Sequence, residues 1–275
     1  MTQRYGLGTL VRELVMVAVA VAFLFPAYVL VALSLKTPSE INEGGLGLPR
    51  ELYLDNYPQA WLGATLGPAL LNSVVITTTS ILIIVLVGSL AAYYLSRVHS
   101  RLSYGMYILF LLGIVLPFQL ALVPLYRLVY EAGLLGSYTS MVLFYVGLQM
   151  PFSIFLYTGF LRALPAEYAE AALVDGASQF QSFTRVVFPL LRPITGTVII
   201  LNAVAIWNDF LTPLLYLGGS SKETLPVVIY QFVGQYTASW GLVFASVVLA
   251  TLPILLVFVV LQKYVIRGFA SGLKG

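Results

Sequence analysis

One carboxylate stands within the long apolar segments of this sequence. Asp209 follows Trp207 and Asn208 inside residues 193–217, and no other formally charged side chain falls within the six longest apolar segments. A charge at membrane depth costs several kcal/mol unless it is hydrated or paired, so such a carboxylate is a functional candidate by default. The structural alternative is that Asp209 only caps or hydrogen-bonds to a neighbouring helix. The sequence leaves both interpretations open.

Other reactive side chains are almost absent. The chain contains no cysteine and a single histidine, His99. This excludes disulfides and thiolate catalysis and argues against a histidine-based metal cage or a catalytic triad. The sequence also contains no Gly-Lys dipeptide, and therefore no phosphate-cradling P-loop. We expect no catalytic residue, no metal site and no cofactor on this chain.

A second candidate lies in a more polar stretch, residues 164–192, which reads LPAEYAEAALVDGASQFQSFTRVVFPLLR. Pro165 suits the start of a helix, and Gly176 can adopt the left-handed conformation that ends one. Glu167 and Glu170 would lie near the N-terminus of this helix, where the positive end of the helix dipole stabilises negative side chains. The stretch is therefore predicted to form a helix, a turn and a second helix at the membrane surface. Its small side chains permit close approach by another surface, which favours docking into a partner's groove; they are Ala166, Ala169, Ala171, Ala172 and Ala177.

These candidates belong to a chain that is too apolar for a water-soluble fold. Of its 275 residues, 60% are hydrophobic and 9% are charged, and the mean hydropathy is +0.94. A soluble domain has about a quarter of its residues charged. The composition therefore excludes a soluble enzyme and predicts an integral membrane protein.

Six apolar segments are long enough to cross a bilayer as helices. About 20 residues are needed, because each residue rises about 1.5 Å through a hydrocarbon core of about 30 Å. The segments are too long and too continuously apolar for the strands of an outer-membrane barrel. We predict an all-α integral membrane protein with six transmembrane helices in a single domain, residues 1–275. The predicted spans are residues 14–35, 72–96, 104–126, 138–161, 193–217 and 240–262.

The first span follows Arg4 and Arg12, as the apolar part of a signal peptide would. Its apolar stretch is longer than the usual h-region of about 7 to 15 residues. We therefore expect a permanent helix.

Basic residues predict the orientation, because they resist translocation. With the N-terminus inside, ten of the fourteen Lys and Arg residues fall in the cytoplasm and four fall outside. Both termini and residues 164–192 are therefore expected in the cytoplasm, and residues 36–71 outside. This topology accounts for the sequence pI of about 9.0, so no nucleic-acid partner is expected. The cytoplasmic set is Arg4, Arg12, Arg97, Arg101, Arg162, Arg185, Arg192, Lys263, Arg267 and Lys274.

Prolines within the predicted spans each remove a backbone hydrogen bond and favour a kink. Kinked helices suit a rocking gate, but they are also frequent in static membrane proteins. These residues are Pro26, Pro117, Pro124, Pro151, Pro213 and Pro253.

The stretch at residues 164–192 resembles the cytoplasmic signature of the integral membrane permeases of ATP-binding-cassette importers. That signature has the sequence EAA, a glycine four residues after the second alanine, and a later hydrophobic-Pro pair. The matching residues are Glu170, Ala171, Ala172, Gly176, Phe188 and Pro189, and Asp175, Ala177 and Phe183 fit the sugar-importing branch. The resemblance extends over most of the chain and is greatest to the maltose transporter's second-permease type. Further matching motifs are Asn56-Tyr57, Asn72-Ser73, Trp207-Asn208-Asp209 and Thr224-Leu225-Pro226.

This resemblance implies a permease subunit that moves a sugar or oligosaccharide by alternating access. Its coupling helix would enter a cleft on a separate ATPase, through Glu170, Ala171, Ala172, Asp175, Gly176 and Ala177. A substrate path or gate would be formed by Trp207, Asn208 and Asp209, with Trp207 stacking on a sugar ring. ATP and Mg²⁺ would bind to the partner ATPase. The implied partners in the plasma or inner membrane are a second homologous permease, an ATPase dimer and an extracytoplasmic solute-binding protein.

Two other classes of function are less consistent with these residues. A secondary transporter or channel would need ion-coupling polar residues in its spans, and only Asp209 is available. A membrane-embedded hydrolase would need paired aspartates or a zinc motif such as H-E-x-x-H, which the sequence lacks. Among ABC importers, a permease for another small polar solute is the alternative to a sugar permease.

Overall fold

The computed structural model describes residues 7–63, 65–235 and 239–272. Arg4 and Lys274 of the orientation count lie outside the described residues. The chain divides into two compact units, Met1–Gly67 with Val228–Leu252 and Pro68–Val227 with Pro253–Gly275.

The first unit begins with a long apolar helix, α1 (Leu7–Ser34). None of the residues in the most apolar window of this helix is buried. Two short helices follow, α2 (Pro38–Asn42) and α3 (Asn56–Gly63). Thr37 caps α2, because its hydroxyl oxygen accepts a hydrogen bond from the Glu40 amide at 3.3 Å.

The Asn56-Tyr57 motif ties α3 to the end of α1. Asn56 Nδ2 donates hydrogen bonds to the carbonyl oxygens of Ser34 and Lys36, both at 2.9 Å. The hydroxyl groups of Tyr57 and Ser34 are 2.8 Å apart. Lys36 is itself buried, and its Nζ donates to the Gly45 carbonyl oxygen at 2.6 Å. The bond from Asn56 to Ser34 satisfies one of the carbonyl groups left without a partner at the end of α1.

Two long helices pack in the second unit. They are α4 (Leu66–Arg97), which begins just before the unit boundary, and α7 (Tyr138–Ala163). A Cβ atom at Gly88 would lie 3.3 Å from Met150 Sδ, so the absence of a side chain at Gly88 permits the close approach of α4 and α7. Between them in the sequence are α5 (Arg101–Val115), a 3-10 turn (Phe118–Ala121) and α6 (Leu122–Glu131).

The remaining helices follow α7 in the chain. They are α8 (Glu167–Val174), α9 (Gln179–Ser182), α10 (Phe188–Leu190), α11 (Arg192–Trp207), α12 (Leu211–Leu217), α13 (Leu225–Gln235) and α14 (Trp240–Gly272). The boundary between the two units falls within α13 and α14.

Four helices of the described chain are long and apolar enough to cross a membrane. The number rises to six if each of two bent helix pairs forms one span; these pairs are Arg101–Val115 with Phe118–Glu131 and Gln179–Leu190 with Arg192–Trp207, and the second pair bends by 74°. The four are α1, α4, α7 and α14, which match the predicted spans at residues 14–35, 72–96, 138–161 and 240–262. The prediction of an all-helical fold is confirmed at this level.

The span predicted at residues 104–126 is wrong as a continuous helix. The chain bends by 89° between α5 and the segment Phe118–Glu131. Pro117 lacks an amide donor and disfavours helical backbone at Leu116, whose ψ is 123°. Pro124 falls in the first turn of α6, where no amide donor is needed.

The span predicted at residues 193–217 is also wrong as a continuous helix. Its backbone is interrupted between α11, which ends at Trp207, and α12, which begins at Leu211. Pro213 lies in the first turn of α12. By contrast, Pro26, Pro151 and Pro253 lie within uninterrupted helices. The prolines near a break, such as Pro117 and Pro213, thus lie directly before a new helix or in its first turn.

Candidate functional site

Residues 164–192, here named the signature loop, begin with α8, which has two carboxylates in its first turn. Glu167 and Glu170 lie there, where the helix dipole favours negative charge. The predicted start of a helix after Pro165 is therefore confirmed.

Gly176 ends α8 in left-handed backbone, with a φ of +86°. The Gly176 amide donates to the Leu173 carbonyl oxygen at 3.1 Å, and the Ala177 amide donates to that of Ala172 at 3.0 Å. This pair of bonds is the Schellman motif, which satisfies carbonyl groups at a helix end. The predicted helix stop at Gly176 is confirmed.

The second arm of the signature loop starts at a capping box. The Gln181 amide donates to Ser178 Oγ at 3.2 Å, and the Ser178 amide donates to Gln181 Oε1 at 2.9 Å. The arm then continues from α9 through a π-turn (Phe183–Val187) into α10. The predicted second helix is therefore a series of short helical pieces.

Three contacts fix the signature loop. Ser182 Oγ donates to the Ala169 carbonyl oxygen at 3.1 Å, which joins the two arms. Arg97 Nη2, at the end of α4, donates to the Leu164 carbonyl oxygen at 3.1 Å. The rings of Tyr93 and Phe183 lie 5.2 Å apart. The loop is thus held by its own bonds and by the end of α4.

One side of the signature loop exposes large apolar side chains. Tyr168 is 52% exposed, Val174 is 87% exposed and Phe180 is 65% exposed. Residues 168, 171 and 174 are spaced three apart and therefore lie along one face of α8. Exposed apolar patches on a rigid surface mark interaction sites, so this surface is suited to bind another protein.

The six residues of the signature that the resemblance assigns to coupling divide by exposure. Glu170, Ala171, Asp175 and Gly176 are exposed, whereas Ala172 and Ala177 are half-buried. Glu170 makes no ion pair within the part of the chain that the structure describes. Its carboxylate therefore remains available to a partner.

The interruption at residues 208–210 places Asp209 between two helices. Asp209 Oδ1 accepts a hydrogen bond from the Thr212 amide at 3.4 Å, at the start of α12. Its Oδ2 accepts a hydrogen bond from the Tyr145 hydroxyl on α7 at 3.1 Å. The half-buried carboxylate thus accepts one hydrogen bond from an amide in the first turn of α12 and one from a neighbouring helix.

Asp209 also belongs to a series of polar contacts between α7 and residues 193–217, the fifth of the predicted spans. Thr195, Asn202 and Asp209 are seven residues apart, so about two helical turns separate successive contacts. In a membrane such interhelical hydrogen bonds fix which residues face one another. We name this series the polar ladder; its pairs are Tyr145–Asp209 at 3.1 Å, Ser153–Asn202 at 3.1 Å and Tyr157–Thr195 at 3.2 Å.

Trp207 and Asn208 point into different surroundings from Asp209. Trp207 is buried and lines an apolar groove of about 360 Å³, whose other walls include Val85 and Pro253. A sugar ring needs hydrogen-bond partners as well as an aromatic face, and the only hydroxyl groups among the described lining residues belong to two threonines. Asn208 is exposed, and its Nδ2 donates to the Val204 carbonyl oxygen at 2.9 Å. The three predicted residues therefore do not converge on one pocket.

Two motifs that lie far apart in the sequence meet beyond α12. Asn72 Nδ2 donates to the carbonyl oxygens of Ser221 at 3.2 Å and Glu223 at 2.9 Å. The Tyr138 hydroxyl donates to Asn72 Oδ1 at 2.6 Å. The Leu225 amide donates to Ser73 Oγ at 3.0 Å. Asn72-Ser73 therefore holds the turn that leads to Thr224-Leu225-Pro226.

Sequence reasoning missed several residues at both places. Tyr168 and Val174 carried a usable signal, because they share one helix face with Ala171. Arg97 and Tyr145 carried none, since a helix-end arginine and a tyrosine within an apolar segment are common features of membrane proteins. Only the three-dimensional arrangement identifies their partners.

The comparisons with known proteins agree with this geometry. Residues 84–271 match the family model described as binding-protein-dependent transport system inner membrane component. The chain is 36% identical over 255 residues to the melibiose/raffinose/stachyose import permease protein MelC of Bacillus subtilis (strain 168), with 92% of each chain covered. It is 35% identical over 256 residues to the multiple sugar-binding transport system permease protein MsmG of Streptococcus mutans, again with 92% of each covered.

A solved structure has the same fold. It is a chain of a bacterial ABC transporter involved in the import of the acidic polysaccharide alginate, with a TM-score of 0.82 at 20% identity. The match covers 96% of the present chain and 99% of the other.

Proposed function

Because this chain belongs to the family of binding-protein-dependent transport system inner membrane components, we propose that it is the transmembrane permease subunit of an ATP-binding-cassette importer for a sugar or oligosaccharide. The names of the relatives at 36% and 35% identity support a sugar over another small polar solute. The subunit moves its solute by alternating access and does not itself hydrolyse ATP.

The observation that carries this proposal is the exposed face of α8. Tyr168, Ala171 and Val174 form an apolar strip beside the exposed carboxylate of Glu170. Hydrogen bonds within the loop and to Arg97 brace the strip from behind. A braced surface transmits force to the helices behind it, as a coupling helix must when an ATPase dimer closes.

The topology that fits this function has six spans in one domain and both termini in the cytoplasm. Here the bent segment Arg101–Glu131 forms the third span, and α11 with α12 forms the fifth. The excess of basic residues beside the signature loop supports a cytoplasmic position for it. Residues 36–71 then face the outside of the plasma or inner membrane.

The partners follow from the same proposal. The unburied apolar face of α1 supports pairing with a second homologous permease, because kinked helices of one subunit hardly surround a sugar alone. An ATPase dimer binds ATP and Mg²⁺ and docks on the signature loop. An extracytoplasmic solute-binding protein delivers the sugar.

Within this subunit we assign the residues Trp207, Asn208 and Asp209 to a gate. Asp209 spans the interruption between α11 and α12 and is tied to α7 through Tyr145. A break held by two hydrogen bonds suits a hinge that opens and closes during alternating access. The apolar surroundings of Trp207 argue against stacking on a sugar.

Added bulk on the docking face tests the proposed function. The variant Ala171→Trp, assembled with the partner subunits in proteoliposomes, should lose at least about tenfold of sugar-stimulated ATP turnover, a coupling loss of about 1.4 kcal/mol. The matched control is Arg101→Trp, which places the same ring on an exposed residue at the start of α5. Equal turnover in the two variants would contradict docking at α8.

A transport assay distinguishes an ATP-driven permease from a secondary transporter. Sugar uptake by the reconstituted chain should vanish when the ATPase subunits are left out. Uptake that persists without them would indicate a secondary transporter.

A further inference from the structure

A groove opens in the second unit where the signature loop meets the spans. It has a volume of about 300 Å³, and its apolar walls are formed by Phe188, Pro189, Ile199 and Leu261. Thr195, Gly196 and Arg192 complete the described lining. The groove is distinct from the exposed face of α8 and from the polar ladder's carboxylate at Asp209.

Arg192 supplies a positive charge at the end of this groove. Its side chain is exposed, and it forms no ion pair and no side-chain hydrogen bond within the described residues. Glu and Asp are absent from the described lining of the groove. An unpaired guanidinium presents five donors, which match the oxygen atoms of a phosphate group.

Thr195 adds a second polar group one turn away. Its Oγ1 accepts a hydrogen bond from the Tyr157 hydroxyl at 3.2 Å. A threonine hydroxyl is both acceptor and donor, so the Thr195 proton remains available to a ligand. The polar groups therefore lie at the first turn of α11, and Ile199 lies one turn further along the helix.

The position of the groove along the helices indicates which ligand it binds. Arg192 begins α11, and Leu261 lies near the end of the predicted span in α14. Under the proposed function these two helix ends lie at the cytoplasmic boundary of the bilayer. At that depth an apolar groove contacts lipid tails, and a basic residue contacts anionic headgroups.

We propose that this groove binds an anionic phospholipid, with its phosphate on Arg192 and Thr195 and an acyl chain along Ile199 and Leu261. The inference rests on the proposed function for the leaflet involved. A lipid bound here touches Phe188 and Pro189, which lie in α10 directly before α11. It therefore stabilises the junction through which the signature loop acts on α11.

Lipid retention by the purified chain tests this site without any transport assay. The chain is extracted from membranes containing phosphatidylglycerol and phosphatidylcholine in equal amounts, and its bound lipids are counted by native mass spectrometry. The parent should retain phosphatidylglycerol with about a fivefold preference, the factor that about 1 kcal/mol per basic residue provides. Arg192→Gln should abolish that preference, and Arg192→Lys should keep most of it.

Arg185→Gln is the matched control, because Arg185 is an exposed arginine of the signature loop that does not line the groove. It should leave the preference for phosphatidylglycerol unchanged. Equal retention of the two lipids by the parent, or an unchanged preference in Arg192→Gln, would overturn the proposal. Complete displacement of the lipid by inorganic phosphate would also overturn the proposal, because it would mean that the apolar walls contribute nothing to lipid binding.

A further outcome concerns the second permease. If phosphatidylglycerol leaves the groove when the subunits assemble, the groove is an interface between permeases and the lipid proposal is wrong. Because retention is measured on one chain, it stays informative even if the ATPase docks elsewhere.

Discussion

The signature loop and the interruption near Asp209 use their polar residues in opposite ways. In the loop, hydrogen bonds lie behind the surface, from Ser182 to Ala169 and from Arg97 to Leu164, and they leave Glu170 exposed. At the interruption, the carboxylate of Asp209 turns inward and accepts bonds from Thr212 and Tyr145.

This contrast shows that an ionisable residue in an unusual place is not by itself a ligand site. Under the proposed topology Asp209 lies at membrane depth, where the cost of its charge is lowered by the hydrogen bonds it accepts from the Thr212 amide and the Tyr145 hydroxyl. Glu170 is exposed, and on the cytoplasmic surface of the proposed topology its charge needs no such compensation. Under the proposed function the exposed face of the loop contacts a partner, whereas the interruption connects α11 to α12 and to α7 within the subunit.

The largest expected effect comes from reversing the exposed charge. Glu170→Lys should lower sugar-stimulated ATP turnover by about 5- to 150-fold, since coupling free energies are about 1 to 3 kcal/mol. The thermal midpoint of the purified chain should stay within experimental error, because Glu170 makes no ion pair within the described residues. Glu170→Gln serves as the control of similar size. A large drop in the thermal midpoint of Glu170→Lys would mean that the loop residue is structural.

Removing the Asp209 carboxylate should lower the stability of the folded chain, in contrast to the effect of Glu170→Lys on ATP turnover. Asp209→Ala removes the side-chain acceptor of the Thr212 amide and leaves the Tyr145 hydroxyl without its acceptor. This loss costs about 1 to 3 kcal/mol and lowers the thermal midpoint in detergent. Asp209→Asn keeps an acceptor oxygen, so it should transport sugar at close to the parental rate. Loss of transport at unchanged stability in Asp209→Asn would instead make the charge itself functional.

A moderate effect is expected at the turn of the signature loop. Gly176→Ala forces a side chain into left-handed backbone, at a cost of about 1 to 2 kcal/mol. Hydrogen exchange of the backbone amides at positions 176 and 177 should therefore become faster in this variant than in the parent. Gly105→Ala is the control, because a Cβ atom at that helical glycine would meet no other atom within 4 Å. Unchanged exchange at Ala177 would show that the turn does not hold the loop.

The smallest effect belongs to the middle of the polar ladder. Ser153→Ala removes the hydrogen bond from Asn202 Nδ2 but leaves the bond from the same nitrogen to the Val198 carbonyl oxygen. An average interhelical hydrogen bond in a membrane contributes about 0.6 kcal/mol, so the thermal midpoint should fall only slightly. A fall as large as that of Asp209→Ala would mean that the ladder acts as one cooperative unit.

The sequence predicts α7 well, because its apolar run starts directly after a capping residue, Ser137. The structure starts this helix at Tyr138 and ends it at Ala163, against a prediction of residues 138–161. Gly176 was equally predictable, since glycine favours left-handed backbone at a helix end. In both cases local chemistry determines the outcome.

Local chemistry did not predict which of the prolines would interrupt a helix. Pro117 begins a new helical direction, yet Pro151 and Pro253 lie in uninterrupted helices. Whether a proline bends or breaks a helix depends on which neighbours satisfy the freed carbonyl groups. The role of Asp209 likewise depended on Tyr145, which is 64 residues away in the sequence.

A cross-link from the exposed face of α8 tests the central claim most directly. The native chain has no cysteine, so Val174→Cys provides one attachment point for a photoreactive probe, and Leu102→Cys provides an exposed control near the start of α5. In membranes of the assembled transporter, the probe at residue 174 should form a covalent adduct with the ATPase subunit, and the probe at residue 102 should not. Equal adducts at both residues, or labelling of residue 174 from the outer side only, would contradict the assignment of α8 as the coupling helix.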